Sequence, residues 1–207
     1  MEKVQEIEKA LNSHPVRIIE PGGRVHAAVA LILEETSNGL NILFIERSNN
    51  ENDHWSGHIA FPGGRAERCD NSPKDTAERE TLEELALDLS TARYLGRLSD
   101  IAPGGLHIVV SSFVYAVNQH PVLHPDHREV ASAFWLPFWE INNPARRTQL
   151  EFMSRERLRK FPAVRIFDGK EKTLWGLTYR MLRNLNKVIN RNNGFPLCST
   201  RMKEATL

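Results

Sequence analysis

Three carboxylates crowd one short run of this chain: Glu80, Glu83 and Glu84 in RETLEEL, with a Gly63-Gly64 turn upstream of them. On a helix advancing about 100° per residue, the three fall within a wedge of roughly 100°. Leu82, Leu85 and Leu89 gather on the other side, the expected apolar face. Like charges at this spacing repel, so a helix that half-buries them needs a compensating cation. Hard oxygen ligands favour Mg2+ or Mn2+. The same residues also fit a solvated acidic face paired with Arg79.

The elements that must hold these residues are legible on both sides. Ser72 suits an N-cap, Pro73 the first helical position, and Asp75 the first turn, where the helix dipole favours an anion. The helix is expected to run to about residue 85. Upstream, residues 25–33 (VHAAVALIL) and 42–46 are apolar and rich in β-branched types, which predicts two central strands joined by an SNG turn. Residues 49–55 form a polar loop expected to border the site, and Ile59-Ala60-Phe61 leads into the glycine turn.

Downstream, strands are expected over 94–98, 107–117 and 130–136, with loops at 99–105 and 120–128. Residues 142–165 are polar and mixed, and the pattern does not resolve them. Leu174, Leu177, Met181, Leu185 and Val188 make the stripe of a last amphipathic helix. Val4, Ile7 and Leu11 predict a short docking helix that Ser13-His14-Pro15 stops. Strands interleaved with helices predict an α/β chain, a mixed β-sheet sandwiched between α-helices. The expected division is an N-terminal helix and linker over 1–24, one catalytic domain over 25–190 and a C-terminal tail over 191–207.

Composition excludes several classes. With 27 Lys and Arg against 26 Asp and Glu, the net charge of +1 gives no field for nucleic acid or an anionic membrane. The two cysteines, Cys69 and Cys198, make neither a disulfide framework nor a zinc pattern, so a reducing, cytoplasmic setting is expected. The charged N-terminus lacks the apolar core of a signal peptide, and no apolar run approaches a membrane span. No exposed hydrophobic stripe marks an interface, and homo-oligomerisation is left open.

The run LFIERSNNENDHWSGHIAFPGG, joined to TAERETLEEL, resembles the Nudix hydrolases and, within them, the coenzyme A diphosphatase branch. The match includes Gly64, Arg79, Glu80, Thr81, Glu83 and Glu84, then Ala86 where the general box has glycine. The loop from Gly64 to Arg79 is one residue longer than in the general box, and Asn71 stands eight residues before Arg79 in place of a glutamate. The coenzyme A branch carries such a longer loop in the form GGxxDxxD, matched here by Glu67 and Asp70. The resemblance covers residues 25–189, with its specific part at 44–87.

That resemblance implies the Nudix fold and metal-dependent cleavage of a diphosphate linkage in coenzyme A or a derivative. The products would be adenosine 3',5'-bisphosphate and a 4'-phosphopantetheine. It implies Glu80, Glu83 and Glu84 as ligands of Mg2+ or Mn2+, with a backbone oxygen from Gly63 or Gly64. Arg79 would orient the carboxylates, and Glu80 or Glu83 would take a proton from water. Arg47 and Ser48 match the Arg-Ser of the coenzyme A signature, which implies both, with Gly64, at the substrate; Arg47 could hold a phosphate or pair with a carboxylate. Glu129 precedes a strand on a loop that supplies a further ligand or base in several Nudix branches; a salt bridge holding that loop is the other reading. The interval NNENDHW lacks the second Arg of the signature, which keeps nucleoside diphosphate sugars and ADP-ribose as alternative substrates. A noncatalytic nucleotide-binding module is a further alternative.

Overall fold

The computed structural model of the chain describes residues 2–49, 55–154, 157–167 and 170–193. Residues 50–54 of the expected polar loop, Cys198 and the tail beyond 193 fall outside these residues. The chain opens with α1 (Glu2–Ser13) and then lays down β1 (Val25–Thr36), β2 (Gly39–Arg47), β3 (Ile59–Ala60) and β4 (Gly63–Arg65). After α2 (Pro73–Leu85) come β5 (Arg93–Ile101), β6 (Ile108–Val117), β7 (Val130–Pro137) and α3 (Phe138–Asn142). The last elements are β8 (Arg147–Ser154), β9 (Arg157–Phe167), β10 (Lys170–Trp175) and α4 (Gly176–Asn193).

One mixed sheet forms the centre. Its strands run β3-β2-β1-β6-β5, with β7 paired to β2 and β4 to β1. The β1–β6 pair is parallel, from Val25 opposite Ile108 to Glu34 opposite Val117, and the other ladders of this sheet are antiparallel. Both faces are covered, which is why β1 and β6 read as almost unbroken apolar runs. On one face Leu31, Leu33, Ile42, Phe44 and Val114 pack with Val4, Ile7 and Leu11 of α1 and Leu182, Leu185 and Val188 of α4. On the other, Ile32, Leu43, Ile45, Phe113 and Tyr115 pack with Ala77 and Leu85 of α2. The sandwich predicted from the sequence is the fold observed.

α1 is fastened at both ends. Its first amides, at Lys3 and Val4, donate to the Glu35 carboxylate, which supplies the acceptors the helix start lacks. Beyond its end, Arg17 N donates to Ser99 Oγ and Ile19 N to Asp100 Oδ2, so the segment is stitched along β5.

Three expectations need correction. Leu82 is 50% exposed and does not share the apolar face with Leu85. α2 instead buries Thr76, Ala77, Thr81, Glu84 and Leu85, so the arc that packs on the sheet includes a glutamate and excludes Leu82. Leu89 lies in a 3-10 turn after the helix has ended. Leu174 belongs to β10, because α4 begins only at Gly176, whose φ of +63° breaks the strand. The unresolved stretch 142–165 contains the β8–β9 hairpin, which with β10 makes a second, three-stranded antiparallel sheet.

Candidate active site

α2 starts as its sequence dictates. Ser72 Oγ accepts from Asp75 N at 3.2 Å, and Pro73 follows at the position where a missing amide costs nothing. The helix stops at Ala86, which takes a left-handed conformation (φ 52°, ψ 29°) and donates its amide to Leu82 O at 2.8 Å. That is a glycine-type C-cap made by an alanine.

The glycine turn sits against this helix with no room to spare. The Gly63 amide donates to Glu84 Oε2 at 2.9 Å. A Cβ on Gly63 would lie 2.2 Å from the Ala28 carbonyl oxygen, and its φ of +145° suits glycine alone. A Cβ on Gly64 would lie 2.4 Å from the Glu80 carboxylate. Strand β4 and helix α2 therefore meet backbone to carboxylate.

The three glutamates have different surroundings. Glu84 is 2% exposed; burial pushes its pKa from 4.5 up to about 8, against the Gly63 amide and Arg47, which favour the charged form. Its second oxygen, Oε1, is buried without a hydrogen-bond partner, and Arg47 Nη1 stands 4.0 Å from it. Glu80 is also raised, first by burial, against the pull of Arg79. Glu83 is 59% exposed and lies on Arg79 Nη1 at 2.9 Å. Among the described residues no three His, Cys, Asp or Glu side chains already converge as a ligand set.

Arg79 is the hub. Its Nε and Nη2 donate to the two oxygens of Asp70 at 2.9 and 3.0 Å, a bidentate fork, while Nη1 reaches Glu80 (3.1 Å) and Glu83, and Nη2 also reaches the Arg65 carbonyl. Asp70 accepts in addition from Thr76 Oγ1 and the Glu67 amide, and the Arg79 bonds hold its carboxyl well below the usual carboxylate range. The longer loop thus brings residue 70, not 71, onto the arginine. The sequence pattern marks Asp70 as one of two loop acids but does not identify it as the partner of Arg79.

The turn before β7 carries the remaining expected residue, Glu129. Glu129 is exposed, and its charge helps raise both Glu80 and Glu84. Among the described residues its carboxylate makes no ion pair. Ser48, expected at a substrate, donates its hydroxyl to the His127 carbonyl at 3.0 Å. Residues 24–157 of this chain match the NUDIX domain. The chain belongs to the NUDIX domain family.

Relatives within this family are recognisable at moderate identity. The chain is 36% identical over 126 residues to the uncharacterized protein C14C4.10c of Schizosaccharomyces pombe, covering 58% of this chain and spanning 38% of that relative's length. It is 30% identical over 166 residues to the uncharacterized Nudix hydrolase NudL of Yersinia enterocolitica, covering 80% of this chain and 82% of NudL. Among solved structures, a MutT/nudix family protein from Enterococcus faecalis aligns with a TM-score of 0.56 at 15% identity, covering 90% of this chain and 69% of the other, a likeness of fold. In this Nudix fold, Arg79, Glu80 and Glu84 lie along one side of α2, with Gly64 against Glu80 and with Gly63 and Arg47 at Glu84. Glu83 stays on its outer rim and Ser48 turns away toward the β7 turn.

Proposed function

We propose that this chain is a divalent-cation-dependent Nudix hydrolase that cleaves the diphosphate linkage of coenzyme A or a derivative, releasing adenosine 3',5'-bisphosphate and a 4'-phosphopantetheine or its acyl form. The observation that carries the metal dependence is the buried Oε1 of Glu84, which no hydrogen bond reaches and which Arg47 approaches only to 4.0 Å, within the field of Glu80 and Glu129. Such an oxygen is costly without a cation. Glu80, Glu83 and Glu84, with the Gly63 carbonyl, would hold Mg2+ or Mn2+. When bound, the metal neutralises charge on the phosphoryl oxygens and lowers the pKa of water.

The chain's own groups do the rest. The Gly63 amide fixes one oxygen of Glu84 and leaves the other facing inward. Arg79, braced by Asp70, holds Glu80 and Glu83 in place. Glu80 takes a proton from the attacking water, because burial raises its affinity for one; Glu83 is the other base in reach of this end of the helix. Arg47 binds a phosphate of the substrate, and Gly64, lacking a side chain, borders it while leaving the Glu80 carboxylate the space a Cβ would take. Water adds to one phosphorus and the bridging P–O bond breaks, so each product keeps one phosphate of the linkage, and the adenosine product carries its 3'-phosphate as well. A cytoplasmic setting is part of this reading; Cys69 is a free, exposed thiol, and no helix among the described residues is long and apolar enough to cross a membrane.

A second reading, a hydrolase of nucleoside diphosphate sugars or ADP-ribose, is favoured by the absence of arginine from residues 49–55. One assay separates them: product release from coenzyme A, ADP-ribose and a nucleotide sugar, each with Mg2+, Mn2+ or a chelator. Metal-dependent bisphosphate from coenzyme A supports the first reading, and turnover of another diphosphate alone replaces it with the second. Thermal stabilisation by a nucleotide without any product identifies a binding module instead.

A further inference from the structure

We propose that Ser48 and Asp126 are positioning residues for Glu129: they pin the turn over residues 126–130 between the end of β2 and the end of α2, and so fix where Glu129 stands relative to the helix that carries Glu84. The inference rests on the hydrolase reading above, with Glu129 as the further ligand or base that the resemblance implies.

Every polar group of Ser48 is spent on the protein. Its amide donates to the Glu129 carbonyl at 2.8 Å, its hydroxyl donates to the His127 carbonyl at 3.0 Å, and its carbonyl accepts from Ser56 Oγ at 3.5 Å. A hydroxyl has one proton, and this one faces the turn rather than a substrate phosphate. The Arg-Ser pair thereby divides its work: Arg47 points to Glu84, and Ser48 holds the segment that carries Glu129.

Asp126 fastens the other end. Its amide donates to the backbone carbonyl of Glu84 at 2.9 Å, and the neighbouring His124 amide donates to that of Leu85 at 2.9 Å. These are carbonyls at the end of α2, which have no partner within the helix. The Asp126 carbonyl in turn accepts from Glu129 N (2.9 Å) and Val130 N (2.8 Å), while its carboxylate accepts from the Arg128 amide and guanidinium. The turn is thus closed around Asp126 and mounted on the backbone of Glu84 itself. Glu129 emerges from it with no ion pair among the described residues, close enough for its charge to act on both Glu80 and Glu84.

The test is a double-mutant cycle on the full chain, read by steady-state kinetics on whichever diphosphate the wild type hydrolyses and by Mn2+ titration followed by EPR. Ser48→Ala is expected to lower kcat about 10-fold with KM within twofold, and Ser48→Thr, which keeps the hydroxyl, to restore most of it. Asp126→Pro, which removes the amide that bonds the Glu84 carbonyl and which an alanine would leave in place, should behave like Ser48→Ala, with melting curves confirming that each variant is folded. In a Glu129→Gln background neither change should cost anything further, in kcat or in Mn2+ affinity. Losses that multiply with Glu129→Gln, or that appear in KM, would overturn the proposal and make Ser48 a substrate contact. A wild type that hydrolyses nothing yet shows the same non-additive Mn2+ pattern would support the clamp and overturn the hydrolase reading alone.

Discussion

Arg79 grips both oxygens of Asp70 with parallel hydrogen bonds of 2.9 and 3.0 Å, and through that grip a loop acid nine residues upstream aims the arginine at Glu80 and Glu83. With side chains only 19% and 5% exposed, the pair is costly to break from one side. Asp70→Ala is expected to lower stability by about 2 kcal/mol and to cut kcat by more than 10-fold, since Arg79 would fold over the glutamates it now spaces. Urea melts and kinetics check this together. Arg79→Lys cannot remake the fork and should lose activity almost as fully.

Glu84 gives the metal-free protein an unusual pH dependence. Its folded pKa, raised to about 8 by burial, exceeds its ordinary value of 4.5, so the folded chain keeps a proton that the unfolded chain releases. The stabilisation is full below about pH 4.5 and is lost as pH climbs through about 8, a change on the order of 5 kcal/mol. Glu80 is shifted in the same direction. Melting in EDTA from pH 5 to 8.5 should show Tm falling; Mg2+ should reverse the fall. Glu84→Gln should flatten the slope while abolishing turnover. A Tm that rises with pH in EDTA would contradict the burial of Glu84.

The two glycines of the turn should respond differently to one added methyl. At Gly64 the clash is with the far end of the flexible Glu80 side chain, so Gly64→Ala is expected to fold with Tm within a few degrees and lose at least 100-fold in kcat. At Gly63 the clash is with backbone, at 2.2 Å from Ala28 O, and φ is +145°. Gly63→Ala should therefore cost more than about 3 kcal/mol. Circular dichroism melts separate the two.

Ala86 invites a stabilising change. An alanine in the left-handed region costs about 1 kcal/mol relative to glycine, and Ala86 is exposed with nothing packed on its methyl to lose. Ala86→Gly should raise Tm by about 2–4 °C without altering kcat.

Much of this was legible in the chain, for local reasons. Ser72, Pro73 and Asp75 mark a helix start through groups that act within one turn, and β1 and β6 announce burial on both faces by their unbroken apolar runs. Wheel geometry places Glu80, Glu83 and Glu84 within one wedge but does not say which arc of the helix meets the sheet. That arc proved to include Glu84 and omit Leu82, because the glycine turn offers an amide to a buried carboxylate. The β8–β9 hairpin stayed hidden because Met153 and Leu158, facing each other across it, are exposed, so apolar residues there do not report a core. Leu174 joined the helical stripe because the last residue but one of a strand can project into the same core as the helix that follows. Contacts such as Ser48 to His127 span 79 residues and leave no local trace.

The first helix has a consequence for where this protein can be cut. The NUDIX match begins at residue 24, yet Val4, Ile7, Ala10 and Leu11 are buried in the main core, and Gly96 is so tight beneath Leu11 that a Cβ there would come within 3.0 Å of it. A chain trimmed to the family boundary would strip the cover from Leu95, Leu98 and the α4 stripe and leave β5 without its partners at Ser99 and Asp100. Such a fragment should be recovered as aggregate, because the unit of homology is smaller here than the unit of folding.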